Sequence, residues 1–228
     1  MIKVIVVSEG LTEQVFVREL LAPALWYREI DVQARLIRTS PTARGGSLSR
    51  DRVLDYLRRT LHEKPFAYVT TFFDLYGLES DFPGVSSAVR IPDPLARATR
   101  VETELTTETV ALAGCRPERF FPHIQPYEFE ALLFADISRL PEISSEWTAF
   151  VEMLEGVRKE VQSPEYINDG KETHPSAHLQ KLHPRYEKVL NGVTLAKRIG
   201  LDRIREECAH FAKWLGRIEE LTPLRTET

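Results

Sequence analysis

The 228-residue chain is expected to form an α/β fold: a mostly parallel, four-stranded sheet flanked by helices, with a helical extension on the C-terminal side. Three observations lead there. Val4-Ile5-Val6-Val7 is an unbroken β-branched run, the pattern of a strand buried on both faces. Strand and helix patterns then alternate as β-α-β-α-β-α-β-α to about residue 136, which argues for parallel strands with covering helices. Beyond that point strand patterns stop and only helical ones continue.

Taken in order, residues 3–8 read as the first buried strand. Thr12 is placed to cap the next helix, and the spacing Thr12, Val15, Phe16, Glu19, Leu20 supplies its inner face. Pro23 is expected to end or kink that helix. Residues 32–37 alternate as a second strand. Residues 39–49 form a loop rich in Gly, Ser, Thr and Arg around Gly45-Gly46. Residues 51–63 are a helix with Val53, Leu54, Leu57 and Leu61 on one face, and residues 66–73 a third strand. The stretch 75–94, with Gly77, Pro83, Gly84, Pro92 and Pro94, reads as one long loop, of the kind that serves function or motion. A helix over 95–113, a fourth strand over 119–125 and the start of a helix over 127–135 complete the alternation. Helices follow over 146–161, 177–182, 186–199 and 201–221, and Asn168-Asp169-Gly170 marks a turn in the polar loop 163–175. The division is therefore an α/β core over residues 1–136 and a helical extension over 137–228 packed on it, with no repeat or linker between them.

Composition excludes several classes. Hydrophobic residues make up 43% and charged ones 28%, ordinary for a soluble globular protein. The net charge of -4 does not demand the basic face of a large sequence-independent DNA footprint. Cys115 and Cys208 lie far apart without a CxxC and read as reduced, packed thiols of a cytoplasmic protein. The first residues pattern as a strand rather than a secretory leader, and no apolar run approaches the ~18 residues of a membrane helix, so no membrane role is expected.

The chemistry sits at strand ends. Glu9 follows the first strand and Asp74 the third, and α/β sheets present their ligands at the carboxyl ends of strands. Hard ions such as Mg²⁺ or Mn²⁺ prefer carboxylate oxygens and activate water for phosphoryl displacement. Acids beside helix N-termini are also common for electrostatic reasons alone. Glu13 lies one turn beyond Glu9 and can face the same crevice; Glu79 and Asp81 follow Asp74 on the long loop. Glu128 and Glu130 open the helix after the fourth strand. In a regular helix they point about 200° apart, so at most one is expected to join the crevice. A basic group on the C-terminal helices (Lys181, Arg185, Lys188, Lys197 and Arg198, with His174, His178 and His183 nearby) suits a phosphate-bearing substrate or simply a solvated face. Arg44-Gly45-Gly46-Ser47 is a candidate phosphate-gripping loop. No Walker A, GxGxxG, HExxH or nucleophile-elbow pattern occurs.

Several separated segments carry a family resemblance. Val6-Val7-Ser8-Glu9-Gly10-Leu11-Thr12-Glu13 resembles the opening strand of Toprim-like domains. Phe73-Asp74-Leu75-Tyr76-Gly77-Leu78 with Asp81-Phe82-Pro83-Gly84, then Tyr127-Glu128-Phe129-Glu130-Ala131-Leu132-Leu133-Phe134, Ile167-Asn168-Asp169-Gly170, and Ile199-Gly200-Leu201 with Cys208, His210, Phe211 and Trp214, resemble the bacterial domain-of-unknown-function family 4276. The resemblance spans essentially the whole chain. It implies a Toprim-like fold related to nucleases of the overcoming-lysogenization-defect (OLD) type, Mg²⁺-dependent cleavage of DNA or RNA, and a phage-defence setting beside an ABC-like or SMC-like ATPase. It also implies that Glu9 is the functional strand-end glutamate and Asp74 the first acid of a DxD pair. The chain departs at Tyr76, where a Toprim site carries the second acid, and at Tyr127, where close relatives would carry His.

Two readings follow. In the enzymatic one, Glu9 binds metal or acts as general acid/base, Asp74 binds metal, and Glu13 with Glu128 or Glu130 completes the set. Lys188 then steadies charge on the phosphate, with Arg44, Lys197 and Arg198 holding substrate. In the other, a non-catalytic Toprim-like subunit docks an ATPase partner and senses nucleic acid or nucleotide. Both allow a homodimer.

Overall fold

The computed structural model describes residues 1–37, 48–167, 170 and 172–224. Arg44, the Gly45-Gly46 pair and Asn168-Asp169 lie outside the described residues. Four strands, β1 (Ile2–Ser8), β2 (Ile30–Leu36), β3 (Ala67–Asp74) and β4 (Ile124–Gln125), form one sheet in the order β2-β1-β3-β4. All pairings are parallel, so the α/β architecture is as expected.

β1 is central because its side chains are apolar on both faces. Val4 and Val6 point into one hydrophobic cluster, Ile5 and Val7 into the other, the period-two alternation of a strand. On β3, Phe72 and Phe73 divide in the same way. The second cluster lies under α3 (Arg50–Glu63) and α5 (Pro94–Ala113), through Val53, Leu57, Val101 and Leu105. Asp93 caps α5 by accepting from Ala96 N at 2.8 Å, and Gly114 ends it at φ 60°, the usual start and stop signals of a helix. The first cluster joins β1 to α1 (Leu11–Phe16), α2 (Ala22–Trp26) and the C-terminal helices α6 (Val151–Lys159), α7 (Pro175–Leu182), α8 (Val193–Ile199), α9 (Leu201–Glu207) and α10 (Ala209–Glu219). A ring of aromatic contacts, Phe16–Phe72, Phe16–Phe129 and Phe72–Trp214, holds the two parts together.

Several local expectations are corrected. Pro23 does not end the helical run. It sits in the first turn of α2, directly after a π-helical turn over Val17–Leu21, a local widening of the kind that accompanies a residue unable to donate to the preceding turn. Gly10, not Thr12, is the N-cap. The fourth strand is two residues long, because Pro117–Arg119 is a 3₁₀ turn and Phe120 makes only an isolated bridge to Val69. The expected helix after it is a run of 3₁₀ turns over Phe129–Ala135, every residue of which is buried. A chain sealed on all sides needs no amphipathic period. The long loop carries its own short helix, α4 (Val85–Ala88), and buries Phe82. The last expected helix is broken at Cys208 between α9 and α10, and the helix expected over 186–199 begins with a π-turn, Lys188–Gly192.

Candidate metal centre

The sheet order places a topological switch point between β1 and β3, since the chain leaves β1 toward β2 on one side and returns to β3 on the other. Crevices for ligands open at such points, outside the strands' carboxyl ends. Ser8 pairs with Phe72 there, so Glu9 and Asp74 emerge side by side. The Asp74 N–H donates to Glu9 Oε2 at 3.4 Å. Gly77 passes so close that a Cβ on it would stand 2.6 Å from Glu9 Oε1; only glycine leaves room for the carboxylate. Glu13 turns back from α1 and accepts from Gly10 N–H at 2.9 Å.

The segment after β4 adds two more acids. Tyr127 takes a left-handed φ of 62°, uncommon for a bulky residue and a frequent mark of functional segments, and its carbonyl accepts from Tyr76 N–H at 2.9 Å. Glu128 is extended and Glu130 lies in a 3₁₀ turn, so their side chains are not splayed as a regular α-helix would splay them. Both reach Lys188: its Nζ is 3.0 Å from Glu128 Oε2 and 3.1 Å from Glu130 Oε2. The expectation that at most one would enter the crevice is thereby corrected. Glu128 is also held by Ser176 Oγ–H at 3.0 Å and lies 3.0 Å from His174 Nδ1. Tyr76 stacks on that imidazole at 5.5 Å, and the residue is 55% exposed.

Five carboxyl groups and one ammonium thus share one electrostatic neighbourhood. Burial, then the Glu13 carboxylate, pushes Glu9 up to about 7. Burial raises Glu13, and burial followed by Glu13, Glu9 and Glu130 holds Asp74 well above the ordinary range. Glu130 rises to about 7 through burial, with Lys188 opposing and Glu128 adding. Burial acts on Glu128 in the same direction, but Lys188, the Ser176 N–H and His174 outweigh it and hold that carboxyl low. Burial works against the Lys188 cation, and Glu130, Glu128 and Asp74 more than restore it.

Two oxygens decide what the cluster fits. Asp74 Oδ1 and Glu130 Oε1 are sealed from solvent without a hydrogen-bond partner. A buried acceptor left unpaired costs about 1–3 kcal/mol, and an excess of buried negative charge costs more. A hard divalent cation would offset both, and an all-carboxylate donor set matches Mg²⁺ or Mn²⁺. Among the described residues these acids do not yet bring three ligand atoms within 4.8 Å of one another, so their side chains would have to rotate together to share one ion.

Other expected residues lie elsewhere. Lys197 is exposed and pairs with Glu19, Arg198 is exposed on α8, and Lys181, Arg185 and Asp81 are exposed. Of the five basic candidates on the C-terminal helices, Lys188 is the one that turns into the acids. Cys115 and Cys208 are free, and among the described residues no helix is long and apolar enough to cross a membrane. Sequence reading gave no role to a second group. Glu102, His123 and His210 place one ligand atom each within 4.8 Å of one another, an arrangement able to hold a metal ion. Their separation in sequence, with no short ligand spacing, hid them.

A family model described as a domain of unknown function (DUF4276) matches residues 8–219. Among curated proteins none matches the chain. Among solved structures, the C-terminal region of the Xanthomonas campestris pv. campestris OLD protein is similar at 18% identity, over 95% of this chain and 94% of that one, with a TM-score of 0.43. A likeness at that score assigns no residue role.

Proposed function

The chain belongs to the DUF4276 family, and from that premise we propose that it is a Mg²⁺- or Mn²⁺-dependent phosphodiesterase acting on DNA or RNA. The observation that carries the proposal is the pair of sealed, partnerless oxygens on Asp74 and Glu130 inside a cluster of acids at the sheet's switch point. The Toprim-like character of the opening motif supports the same reading. Glu9, Asp74 and Glu130 would hold the ion, with Glu13 and Glu128 beside them. A bound divalent ion supplies a Lewis acid and an activated water for in-line displacement at phosphorus.

The protein's own residues would do the rest. Without metal Glu9 sits at about 7; a cation on it would favour the carboxylate, so Glu9 would serve either as a ligand or, with the ion held by the other acids, as the general acid/base near neutrality. Lys188 keeps its charge beside the acids and is placed to stabilise negative charge gathering on a phosphate. Tyr76 lies outside the acid set, and Glu128 and Glu130 stand in for the second acid of a DxD pair. An ABC-like or SMC-like ATPase partner and a role in phage defence belong to the same proposal.

Titration calorimetry with Mn²⁺ on wild type and on Glu9→Ala tests the metal: a heat with wild type that is lost in the variant is expected, and equal heats overturn the reading. Cleavage is tested on plasmid, linear DNA and RNA with Mn²⁺, with and without the ATPase. Metal binding without cleavage under every condition favours a non-catalytic subunit that docks the ATPase and senses nucleic acid or nucleotide, a reading to which Tyr76 in place of the second acid adds weight.

A further inference from the structure

A second site is built away from the carboxylate cluster. Glu102 comes from α5, His123 from the extended residues before β4, and His210 from the first turn of α10. Glu102 Oε1 accepts from Ile124 N–H at 2.9 Å, lies 2.8 Å from His210 Nε2, and stands 3.7 Å from His123 Nδ1.

His123 decides what the group is for. It is 1% exposed, and its Nε2 lies 3.2 Å from Gln125 Oε1. An amide oxygen only accepts, so Nε2 carries the hydrogen and Nδ1 keeps its lone pair. Gln125 Nε2 makes no hydrogen bond of its own, but the Glu165 carboxylate lies near enough to interact with the amide, which favours keeping the NH₂ on that side and the oxygen toward the ring. Nδ1, turned toward Glu102, is sealed and has no hydrogen-bond partner. The ring is gripped between Trp214 at 4.7 Å and His210 at 5.1 Å. The start of α10 is itself fixed, because buried Glu165 accepts from the N–H groups of His210 and Phe211 at 2.8 and 3.0 Å.

A fixed imidazole nitrogen with a free lone pair, aimed at a carboxylate and a second imidazole, is arranged as a metal ligand. We propose that Glu102, His123 and His210 bind a borderline divalent transition ion of the Zn²⁺ type. Two imidazoles and one carboxylate form the three-ligand set of open, tetrahedral zinc sites, and nitrogen donors disfavour Mg²⁺. Tetrahedral bonds of that length put donors roughly 3.4 Å apart, between the separations already present. Gln125 is the outer partner that sets the tautomer, as hydrogen-bonded groups behind metal-bound histidines do. The three residues line a cavity of about 210 Å³ together with Lys213 and Arg217, which would suit water or an anionic oxygen as a fourth ligand.

The full chain, stripped with chelator and dialysed against Zn²⁺ with excess Mg²⁺, is expected to retain one zinc by elemental analysis. His210→Gln and Glu102→Gln should each weaken zinc binding at least tenfold in competition with a colorimetric chelator, and Gln125→Leu roughly tenfold. Glu9→Ala should bind zinc as wild type does. Zinc lost in Glu9→Ala and kept in His210→Gln would locate the ion in the carboxylate cluster and overturn the assignment, as would no retained zinc in wild type. One readout needs no variant: X-ray absorption of the zinc-loaded wild type should show scattering from two imidazoles, and an all-oxygen shell refutes the site.

Discussion

At the scale of single residues, the raised carboxyls make a prediction about pH. Glu9 and Glu130 sit at about 7 in the fold and at ordinary carboxylate values when unfolded. Between those values the folded state binds more protons than the unfolded one, so stability falls as pH rises. Thermal melts of metal-free protein should therefore show a midpoint that drops from about pH 5 to about pH 8. Mn²⁺ should restore the midpoint most at the upper end, and its binding should release protons. A flat profile would mean that the acids are not buried together. Gly77→Ala supplies a second test. Its methyl would displace the Glu9 carboxylate, so Mn²⁺ affinity should fall by roughly tenfold or more while the melt of the metal-free protein barely moves. Glu9 and Asp74 were readable beforehand because rigid strands deliver them. The place of Glu128 and Glu130 was not, because it depends on the left-handed Tyr127 and on a buried 3₁₀ run that carries no periodic signal. Lys188 was one basic residue among five, and only the π-turn that carries it singles it out.

At the scale of elements, the segment between β3 and α5 is built into the fold rather than draped over it. Gly84 has φ 84°, and a Cβ there would stand 2.8 Å from Val101 Cα. Gly84→Ala should cost about 2–3 kcal/mol, from left-handed strain plus a clash with backbone that cannot yield. A shifted urea midpoint measures it, and a loss below about 0.5 kcal/mol, the scale of a neutral surface change, would show the contact to be loose. Central β1 and β3 were legible from unbroken apolar runs, and α3 from its one-sided leucines. The shortness of β4 was not: Phe120, Phe121 and Ile124 are apolar and buried as a strand would be, yet Pro117 and Pro122 interrupt the ladder. The breaks at Cys208 and within 186–199 come from tertiary packing, which overrides local propensity.

At the scale of the whole molecule, the helical extension completes the hydrophobic cluster begun by the first strand. Trp214 Nε1–H donates to Thr70 Oγ1 at 2.8 Å, and the Tyr68 hydroxyl to the Thr222 carbonyl at 2.8 Å. The two parts should therefore melt as one unit: urea transitions followed by far-UV circular dichroism and by tryptophan fluorescence are expected to coincide, and two separated transitions would contradict the shared core. The family itself was legible from the spaced motifs, and the matching family model covers residues 8–219. The same shared core has a consequence during synthesis. Val4 and Val6 are synthesised long before Phe211 and Trp214 of the same cluster. The nascent sheet must wait with a greasy face uncovered, a state prone to clumping, and pairings this distant along the chain close slowly. Overproduced in bacteria, the protein should be unusually dependent on chaperones that shield half-made chains.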